Sequence, residues 1–229
     1  SLLVKAPLDG LDKPSAREPL AARAYRYKIN LPRDMHAVER TRMLFANALN
    51  YPVPTNQGNY GVRDNLLGDK PRRSRGLLFF HGTAREEKLW PEPNWVALAR
   101  LAVAAGYPVW LPWGSDAEKA RAARIADQGE GAGVLPQLDL LGLSGLLLDA
   151  SGAVAVVTGL GNLDAALDVP TVSLYGPTST RMIGDYGRNQ VHIQSPVGVA
   201  DSRDPVAMMA AIEPQRVWSE LQSILPPVD

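Results

Sequence analysis

The feature that most constrains the fold is an alternation of short apolar segments with helical segments, which begins at Gly76. LLFFH (Leu77–His81) is apolar up to its last residue and AVAVV (Ala153–Val157) is apolar throughout, as in strands that are buried on both faces. Strands that alternate with helices predict an α/β fold with a parallel sheet covered on both sides. Ligands of such sheets bind beyond the carboxyl ends of the strands, so the loops after the strands are the candidate functional positions.

The other elements follow from the same two patterns, apolar runs for strands and a 3.6-residue repeat for helices. Ser115 or Asp116 is predicted to cap one helix, and residues 1–33 are basic and interrupted by prolines without a clear period. The predicted strands are Leu77–His81, Pro108–Pro112, Ala132–Pro136, Ala153–Val157 and Thr171–Tyr175. The predicted helices are His36–Leu49, Glu92–Gly106, Ser115–Asp127, Leu140–Ala150 (expected to be buried), Gly161–Leu167 and Pro214–Leu225.

The composition excludes several classes of function. The 229 residues carry 24 basic and 24 acidic side chains, so nucleic-acid binding driven by net charge is not expected. There is no cysteine, and none of the three histidines lies at ligand spacing from another, so neither disulfides nor a metal site is predicted. His81 is interpreted as a structural histidine with its hydrogen bonds satisfied. No apolar run reaches the roughly 18 residues that a membrane span needs.

The segment Thr158-Gly159-Leu160-Gly161 lies between a predicted strand and a predicted helix. Glycines allow a ligand to approach the backbone, and the first N–H groups of a helix point at such a ligand. The helix dipole adds about half a positive charge there, which favours a phosphate or pyrophosphate. A tight turn whose glycines serve packing alone is the alternative.

Two other loops carry candidate ligand-binding side chains. In HGTAREEKLW, Thr83 offers a hydroxyl beside the end of the first strand, and Lys88 can bring a positive charge to the same place. Glu118, in the first turn of the helix after the second strand, can accept hydrogen bonds from a ribose diol. The alternatives are a solvated surface lysine and an acid that only stabilises its helix N-terminus.

Six stretches in the right order, covering nearly the whole chain, resemble the lipopolysaccharide heptosyltransferase family, and within it the heptosyltransferase I type. They are SAREPLA, HAVERTRMLFANAL, HGTAREEKLWPEPNW, LPWGSDAEKARA, VTGLGNLDAALDVPTVSLYGPT and YGRNQ. The resemblance implies an α/β GT-B-type fold, with one Rossmann-like parallel sheet domain and part of a second. It also implies inverting, metal-independent transfer of L-glycero-D-manno-heptose from ADP-heptose to the Kdo residue of lipid A in Gram-negative bacteria, with ADP as product and no cofactor.

The resemblance also implies domains and residue roles. Residues 1–70 would be the remnant of an N-terminal, acceptor-side domain and a linker, 71–210 the donor-nucleotide-binding domain, and 211–229 a C-terminal helix. Thr83 and Lys88 would bind the pyrophosphate, with Lys88 also the catalytic residue that stabilises the leaving group. Arg17 would face the anionic acceptor. The other donor-binding residues would be Glu118 on the ribose, Leu138 along the adenine, and Thr158, Gly159, Leu160, Gly161 and Asn162 around the phosphates.

The chain departs from the family motif Asp-Thr-Gly-Leu-x-His-Leu-Ala-Ala-Ala-Leu at three positions. Val157 replaces the acid, Asn162 the histidine and Asp164 an alanine. Valine accepts no hydrogen bond, Asn162 carries no proton, and Asp164 is expected to add negative charge near the anion site. The general base of the family, an Asp near the N-terminus, has no counterpart, so most of the first domain is expected to be missing from the sequence.

Two other functions are considered beside the transferase. Val157 and Asn162 favour a catalytically impaired homologue that acts as a nucleotide-binding or partner-binding module. A Rossmann oxidoreductase needs Gly-x-Gly-x-x-Gly after the first strand, where only Gly82 is present. The lipid A acceptor implies a cytoplasmic protein with peripheral contact to the inner membrane, and local basic residues would favour anionic lipid.

Overall fold

The computed structural model describes residues 6–67, 76–157, 159–178, 180, 184–198, 202 and 204–226. The chain divides into two units, the first comprising Ser1–Gly58 and Arg181–Gly184 and the second Asn59–Thr180 and Asp185–Asp229. The division after Gly58 differs from the predicted boundary after residue 70, and the predicted separate C-terminal helix belongs to the second unit. The physical reason is packing, since Val62 and Leu221 are both in contact with the apolar core of that unit.

The first unit contains a small parallel sheet and one long helix. Strands β1 (Asp9–Leu11) and β2 (Tyr27–Ile29) pair in register Asp9 to Tyr27, and helix α1 (Ala37–Leu49) packs on them. His36 caps α1 through its ring, which accepts a hydrogen bond from the Val38 amide. The helix was predicted. The strands were not, because three residues give no measurable alternation.

The second unit is built on a six-stranded sheet in which every neighbouring pair is parallel. Its strands are β3 (Leu77–Phe80), β4 (Val109–Leu111), β5 (Ala132–Val134), β6 (Gly152–Val156), β7 (Thr171–Tyr175) and β8 (Gln190–Gln194). They lie in the order β5-β4-β3-β6-β7-β8, which is the doubly wound Rossmann order. Strand order reverses between β3 and β6, and ligands of such sheets bind at that point, beyond the carboxyl ends.

The sheet is covered on both faces, as the apolar strand sequences predict. Leu77 and Phe79 of β3 face one apolar cluster, while Leu78 and Phe80 face another, because successive side chains of a strand point to opposite faces. The helices of this unit are α2 (Val62–Leu67), α3 (Glu92–Ala104), α4 (Asp116–Gln128), α5 (Leu140–Asp149), α6 (Gly159–Ala166), α7 (Pro205–Ala210) and α8 (Pro214–Ile224).

The predicted strands and helices are all present, with ends that differ by a few residues. Helix α6 begins at Gly159 rather than Gly161, and α5 is not buried throughout, because Leu140 and Leu141 in its first turn are 63% and 68% exposed. The second unit also contains β8, α2 and α7, which the sequence did not predict. Strand β8 alternates polar and apolar residues and is half-buried, so it lacks the continuous apolar run used to recognise the other strands.

We predict that Trp95→Ala lowers the free energy of unfolding by about 3–5 kcal/mol, measured by urea denaturation. The Trp95 ring is fully buried, with its centroid 5.5 Å from that of Phe79 and 5.0 Å from that of Trp90. The matched control is Trp110→Ala, which should cost distinctly less, because Trp110 is 40% exposed on β4. Equal losses in the two variants would contradict the assignment of Trp95 to the core.

Candidate functional site

A cavity of about 210 Å³ opens at the carboxyl edge of the second unit's sheet. The loops after β3, β4 and β5 and the first turns of α5 and α6 form it, and most of its surface is apolar. Its lining residues are Phe80, Gly82, Pro112, Trp113, Gly114, Glu118, Pro136, Leu138, Asp139, Leu140, Leu143 and Leu160. Three predicted donor-binding residues, Glu118, Leu138 and Leu160, therefore lie around one cavity.

Glu118 is the acidic side chain of this cavity that is held most firmly. The Ser115 hydroxyl accepts a hydrogen bond from the Glu118 amide, and Glu118 Oε2 accepts hydrogen bonds from the amides of Gly114 (2.8 Å) and Ser115 (3.2 Å). This capping box fixes the first turn of α4. Glu118 is thus a helix-capping acid, and its Oε1 makes no hydrogen bond to a described residue and remains available to a ligand.

Gly82 is the position that allows the Glu118 carboxylate to approach the end of β3. A Cβ atom at residue 82 would lie 2.2 Å from Glu118 Oε1, far inside van der Waals contact. Every residue other than glycine would therefore displace the carboxylate. The loop after β3 and the first turn of α4 meet here, so the glycine sets the shape of the cavity.

His81 lies immediately before this glycine and is fully buried. Burial lowers the pKa of His81 to about 4, and the positive charge of Arg121 acts in the same direction, against the smaller effects of Glu118, the Pro112 carbonyl and Glu92. The ring is therefore neutral near pH 7. Neither ring nitrogen has a partner of normal hydrogen-bond geometry among the described residues, while the Pro112 carbonyl interacts with the ring. His81 is thus a buried, neutral histidine, and the expectation that its hydrogen bonds are satisfied stays a prediction.

Thr83 joins the two loops that flank the reversal of strand order. Its hydroxyl donates a hydrogen bond of 3.1 Å to the carbonyl of Val157, which follows β6. Val157 thus contributes its backbone at a position where the family motif has an acid, and its isopropyl group adds no polar atom. Thr158, the next predicted ligand-binding residue, lies outside the described residues.

The other predicted phosphate-binding residues lie in the first turn of α6. A Cβ atom at Gly159 would have no described atom within 4 Å, so the helix N-terminus faces open space at that residue. Leu160 reaches the cavity, and Asn162 is exposed. Gly161 is buried on the opposite side, where a Cβ atom would lie 2.7 Å from Asp185 Oδ2. The glycine at 161 therefore serves packing, whereas that at 159 leaves the backbone accessible.

Asp164, expected to add negative charge near the anion site, lies fully buried on α6. Burial, with a further contribution from the negative charge of Asp185, raises the pKa of Asp164 well above its ordinary value. The neutral acid is therefore the favoured form. The expectation of an added negative charge was wrong, because the sequence did not reveal that the helix turns this side chain away from water.

Lys88 ends a short 3₁₀ helix, Glu86–Lys88, after the loop that carries Thr83. Its side chain is half-buried and makes no hydrogen bond or ion pair to any residue that the structure describes. The nearby Arg85 pairs with Glu87 at 3.5 Å on the surface. Lys88 is not among the residues that line the cavity, so its role in pyrophosphate binding and catalysis stays a prediction.

Arg17, the predicted acceptor-binding residue, belongs to the first unit and is exposed there. The carbonyls of the two buried residues before it, Ser15 and Ala16, accept hydrogen bonds from the guanidinium groups of Arg40 and Arg33 respectively. These contacts hold the backbone and leave the Arg17 side chain directed to solvent. Its role on the acceptor side stays a prediction.

Several residues of the cavity were not found from the sequence. Trp113 donates a hydrogen bond from its indole N–H to the Leu135 carbonyl (2.7 Å), and the Lys119 ammonium lies 4.8 Å from its ring centroid. Asp139 caps α5 by accepting a hydrogen bond from the Gly142 amide at 2.7 Å. Both residues follow predicted strands, so their position after a strand end was the available signal.

Comparison with known proteins assigns the chain to a family. The model of glycosyltransferase family 9 (heptosyltransferase) matches residues 2–210. The chain belongs to this family. Lipopolysaccharide heptosyltransferase 1 of Pseudomonas aeruginosa is 44% identical over 96% of this chain and 68% of its own length. The resemblance noted in the sequence is thereby confirmed.

Solved structures agree with this assignment. The Escherichia coli heptosyltransferase WaaC with ADP matches with a TM-score of 0.81 at 36% identity, over 94% of this chain and 65% of that one. The same enzyme with ADP-2-deoxy-2-fluoro heptose matches with a TM-score of 0.78, over 94% and 64%. The chain thus spans slightly less than two thirds of the length of these two structures. The predicted GT-B-type α/β fold class is confirmed.

We predict that the stability of the protein falls by roughly 3 kcal/mol between about pH 6.5 and about pH 4 because of His81 alone. The unfolded chain takes up a proton at this histidine in that range, whereas the folded protein, with the pKa of His81 near 4, does not. The contribution is complete above about pH 6.5 and is lost as the pH falls. In urea denaturation at a series of pH values, the free energy of unfolding of His81→Asn should fall less between about pH 6.5 and about pH 4 than that of the parent protein. An equal fall in both proteins would contradict the neutral, buried ring.

Proposed function

We propose that this chain binds ADP-heptose and takes part in the inverting transfer of heptose to the Kdo residue of lipid A, in lipopolysaccharide inner-core synthesis. Family membership and the heptosyltransferase 1 relative support this function. The single observation that carries it is the cavity between Glu118 and the first turn of α6, at the carboxyl edge where Rossmann-type sheets bind nucleotides. Beyond the substitutions at Val157 and Asn162, no observation on the described residues favours an impaired, binding-only homologue.

The nucleoside would occupy the apolar cavity. Leu138, Leu143 and Phe80 offer a surface for a purine ring, and mostly apolar clefts with a few polar groups are typical of small-molecule sites. Glu118 Oε1, the second oxygen of the carboxylate whose Oε2 is held in the capping box, would accept hydrogen bonds from the ribose hydroxyls. Because Oε2 is already held by two amides, the carboxylate is oriented before the ligand arrives.

The diphosphate would lie at the N-terminus of α6. The accessible backbone at Gly159 and the helix dipole favour an anion there. The side chain of Thr83, which is fixed to Val157 on the adjoining loop, lies beside the same strand ends. Lys88, on its long flexible stem, would supply the full positive charge.

In the proposed reaction an acceptor hydroxyl attacks the anomeric carbon from the face opposite the diphosphate. A new carbon–oxygen bond forms while the bond to the β-phosphate oxygen breaks, so that the electron pair leaves with ADP and the hydroxyl proton passes to a base. Lys88 and the α6 amides would stabilise the charge that develops on the departing diphosphate. That the reaction needs no metal or cofactor remains a proposal.

The acceptor side of the proposal involves Arg17, which would contact the anionic Kdo–lipid A. Within the part of the chain that the structure describes, no helix is long and apolar enough to cross a membrane. We propose peripheral contact with the cytoplasmic face of the inner membrane, where the lipid acceptor would be reached.

We predict that ADP raises the melting temperature, whereas UDP and GDP at the same concentration do so much less. A ligand at about 100 times its Kd stabilises the folded protein by about 2.7 kcal/mol. Discrimination is expected because the base lies in the apolar cavity, where an unpaired polar group of the wrong base is costly. Equal shifts with all three nucleotides would mean that the cavity does not select adenine.

We predict that Lys88→Ala weakens ADP binding roughly 10- to 100-fold in isothermal titration calorimetry, as expected for one charge-assisted hydrogen bond. The matched control is Arg85→Ala, three residues earlier on the same loop, where the exposed side chain pairs with Glu87 at 3.5 Å. This control should bind ADP like the parent protein. Unchanged affinity in Lys88→Ala would remove Lys88 from the phosphate site.

A further inference from the structure

Two buried carboxyl groups meet at the inner face of α6, one from the helix itself (Asp164) and one that packs against it (Asp185). Neither lines the cavity. Asp164 is fully buried and Asp185 is 8% exposed. Gly161 and Asp164 are three residues apart and therefore share one face of the helix. The Asp185 carboxylate packs on that face, with Oδ2 2.7 Å and Oδ1 3.0 Å from where a Cβ atom at residue 161 would lie. The two carboxyl groups are thus neighbours about one helical turn apart.

Their surroundings are unequal. Asp185 Oδ2 accepts a hydrogen bond from the Ser173 hydroxyl at 2.5 Å and a long one from the Tyr175 hydroxyl at 3.5 Å, and such bonds stabilise an ionised carboxylate. Neither oxygen of Asp164 has a partner among the described residues. The proton therefore belongs on Asp164, whose pKa is raised by burial and by the negative charge of Asp185.

The titratable groups that the described part of the chain places near the pair are two phenols and an imidazole ring. Burial and Asp185 raise the pKa of both Tyr175, on β7, and Tyr60, so these side chains are neutral. The His192 ring of β8 lies against the Tyr175 ring, with the centroids 5.5 Å apart. Strand β6, which also packs on α6, carries no titratable side chain in Gly152–Val156.

We propose that Asp164 is a positioning residue for the nucleotide site, and that its proton keeps the first turn of α6 seated against β7. Ionisation of Asp164 would place two negative charges about one turn apart in an apolar site, where neither is solvated. Movement of α6 away from Asp185 relieves the repulsion. Because the same turn carries Gly159 and Leu160, that movement displaces the amides and the cavity wall. This inference rests on the proposed binding of the donor diphosphate at α6.

The test is the pH dependence of ADP affinity, measured by calorimetry on the whole chain from about pH 6 to about pH 9. The parent protein should lose affinity by up to roughly tenfold for each pH unit above the pKa of Asp164. Asp164→Asn keeps the shape and cannot ionise, so its affinity should vary at most about threefold over the same range. If Asp164→Asn does not fold, the second variant is Asp164→Ala, which restores the alanine of the family motif and likewise cannot ionise.

The matched control is Asp168→Asn, at the turn that follows α6. Asp168 is a surface residue that pairs with Arg188 at 2.9 Å, and its φ of 54° suits asparagine. The control should follow the parent profile, and the titration of ADP itself affects all the proteins equally. Urea denaturation without ligand at the same pH values gives a second measurement, in which the parent should lose stability as the pH rises while Asp164→Asn does not.

The outcomes separate the two proposals. The positioning role is supported if the ADP affinity of Asp164→Asn is nearly independent of pH while that of Asp168→Asn falls as the pH rises. If only the unfolding profiles differ and all ADP profiles coincide, Asp164 is merely structural, the inference is overturned and the proposed function stands. If the parent binds ADP at no pH, the proposed function fails and the inference fails with it, whatever the unfolding data show.

Discussion

The parallel pairing of β3 with β6 is the constraint on which the rest of the second unit depends. These strands pair from Leu77 with Gly152 to Phe80 with Ala155, and they lie where the order of the strands reverses. Their following loops therefore leave in opposite directions and open a crevice between them. The hydrogen bond from Thr83 to the Val157 carbonyl joins the two loops at its base. Every candidate donor-binding residue of this unit follows one of the strands of this sheet.

The site that results is organised before any ligand is bound. Backbone amides fix the Glu118 carboxylate, and the absence of a side chain at Gly82 leaves room for that carboxylate beside the end of β3. The neutral His81 beneath it adds no positive charge that would compete for the carboxylate. On the other side, the N-terminus of α6 is open at Gly159 and packed at Gly161. The two ends of the cavity thus differ in charge, one suited to hydroxyl groups and the other to an anion.

The sequence predicted much of this because apolar strands and capped helices are local patterns. It placed Glu118 and Leu160 after strands whose carboxyl ends converge, while Leu138 came from the resemblance to the family. It missed β8, whose half-buried alternation resembles a loop. It also misjudged Asp164, because burial and the approach of Asp185 to α6 are set by packing between distant segments. The roles of Lys88 and Arg17 stay predictions, because they concern contacts with ligands, which no pattern within the chain can supply.

The central claim is that the carboxyl edge of this sheet binds a nucleoside diphosphate at the N-terminus of α6. Hydrogen–deuterium exchange with mass spectrometry, with and without ADP, tests it most directly. The account predicts that ADP slows exchange in the peptides that contain the first turn of α6 and the turn Gly114–Ser115, and leaves β1 and β2 unchanged. Exchange that is unaltered in α6 while ADP binds, or protection confined to other segments, would contradict it.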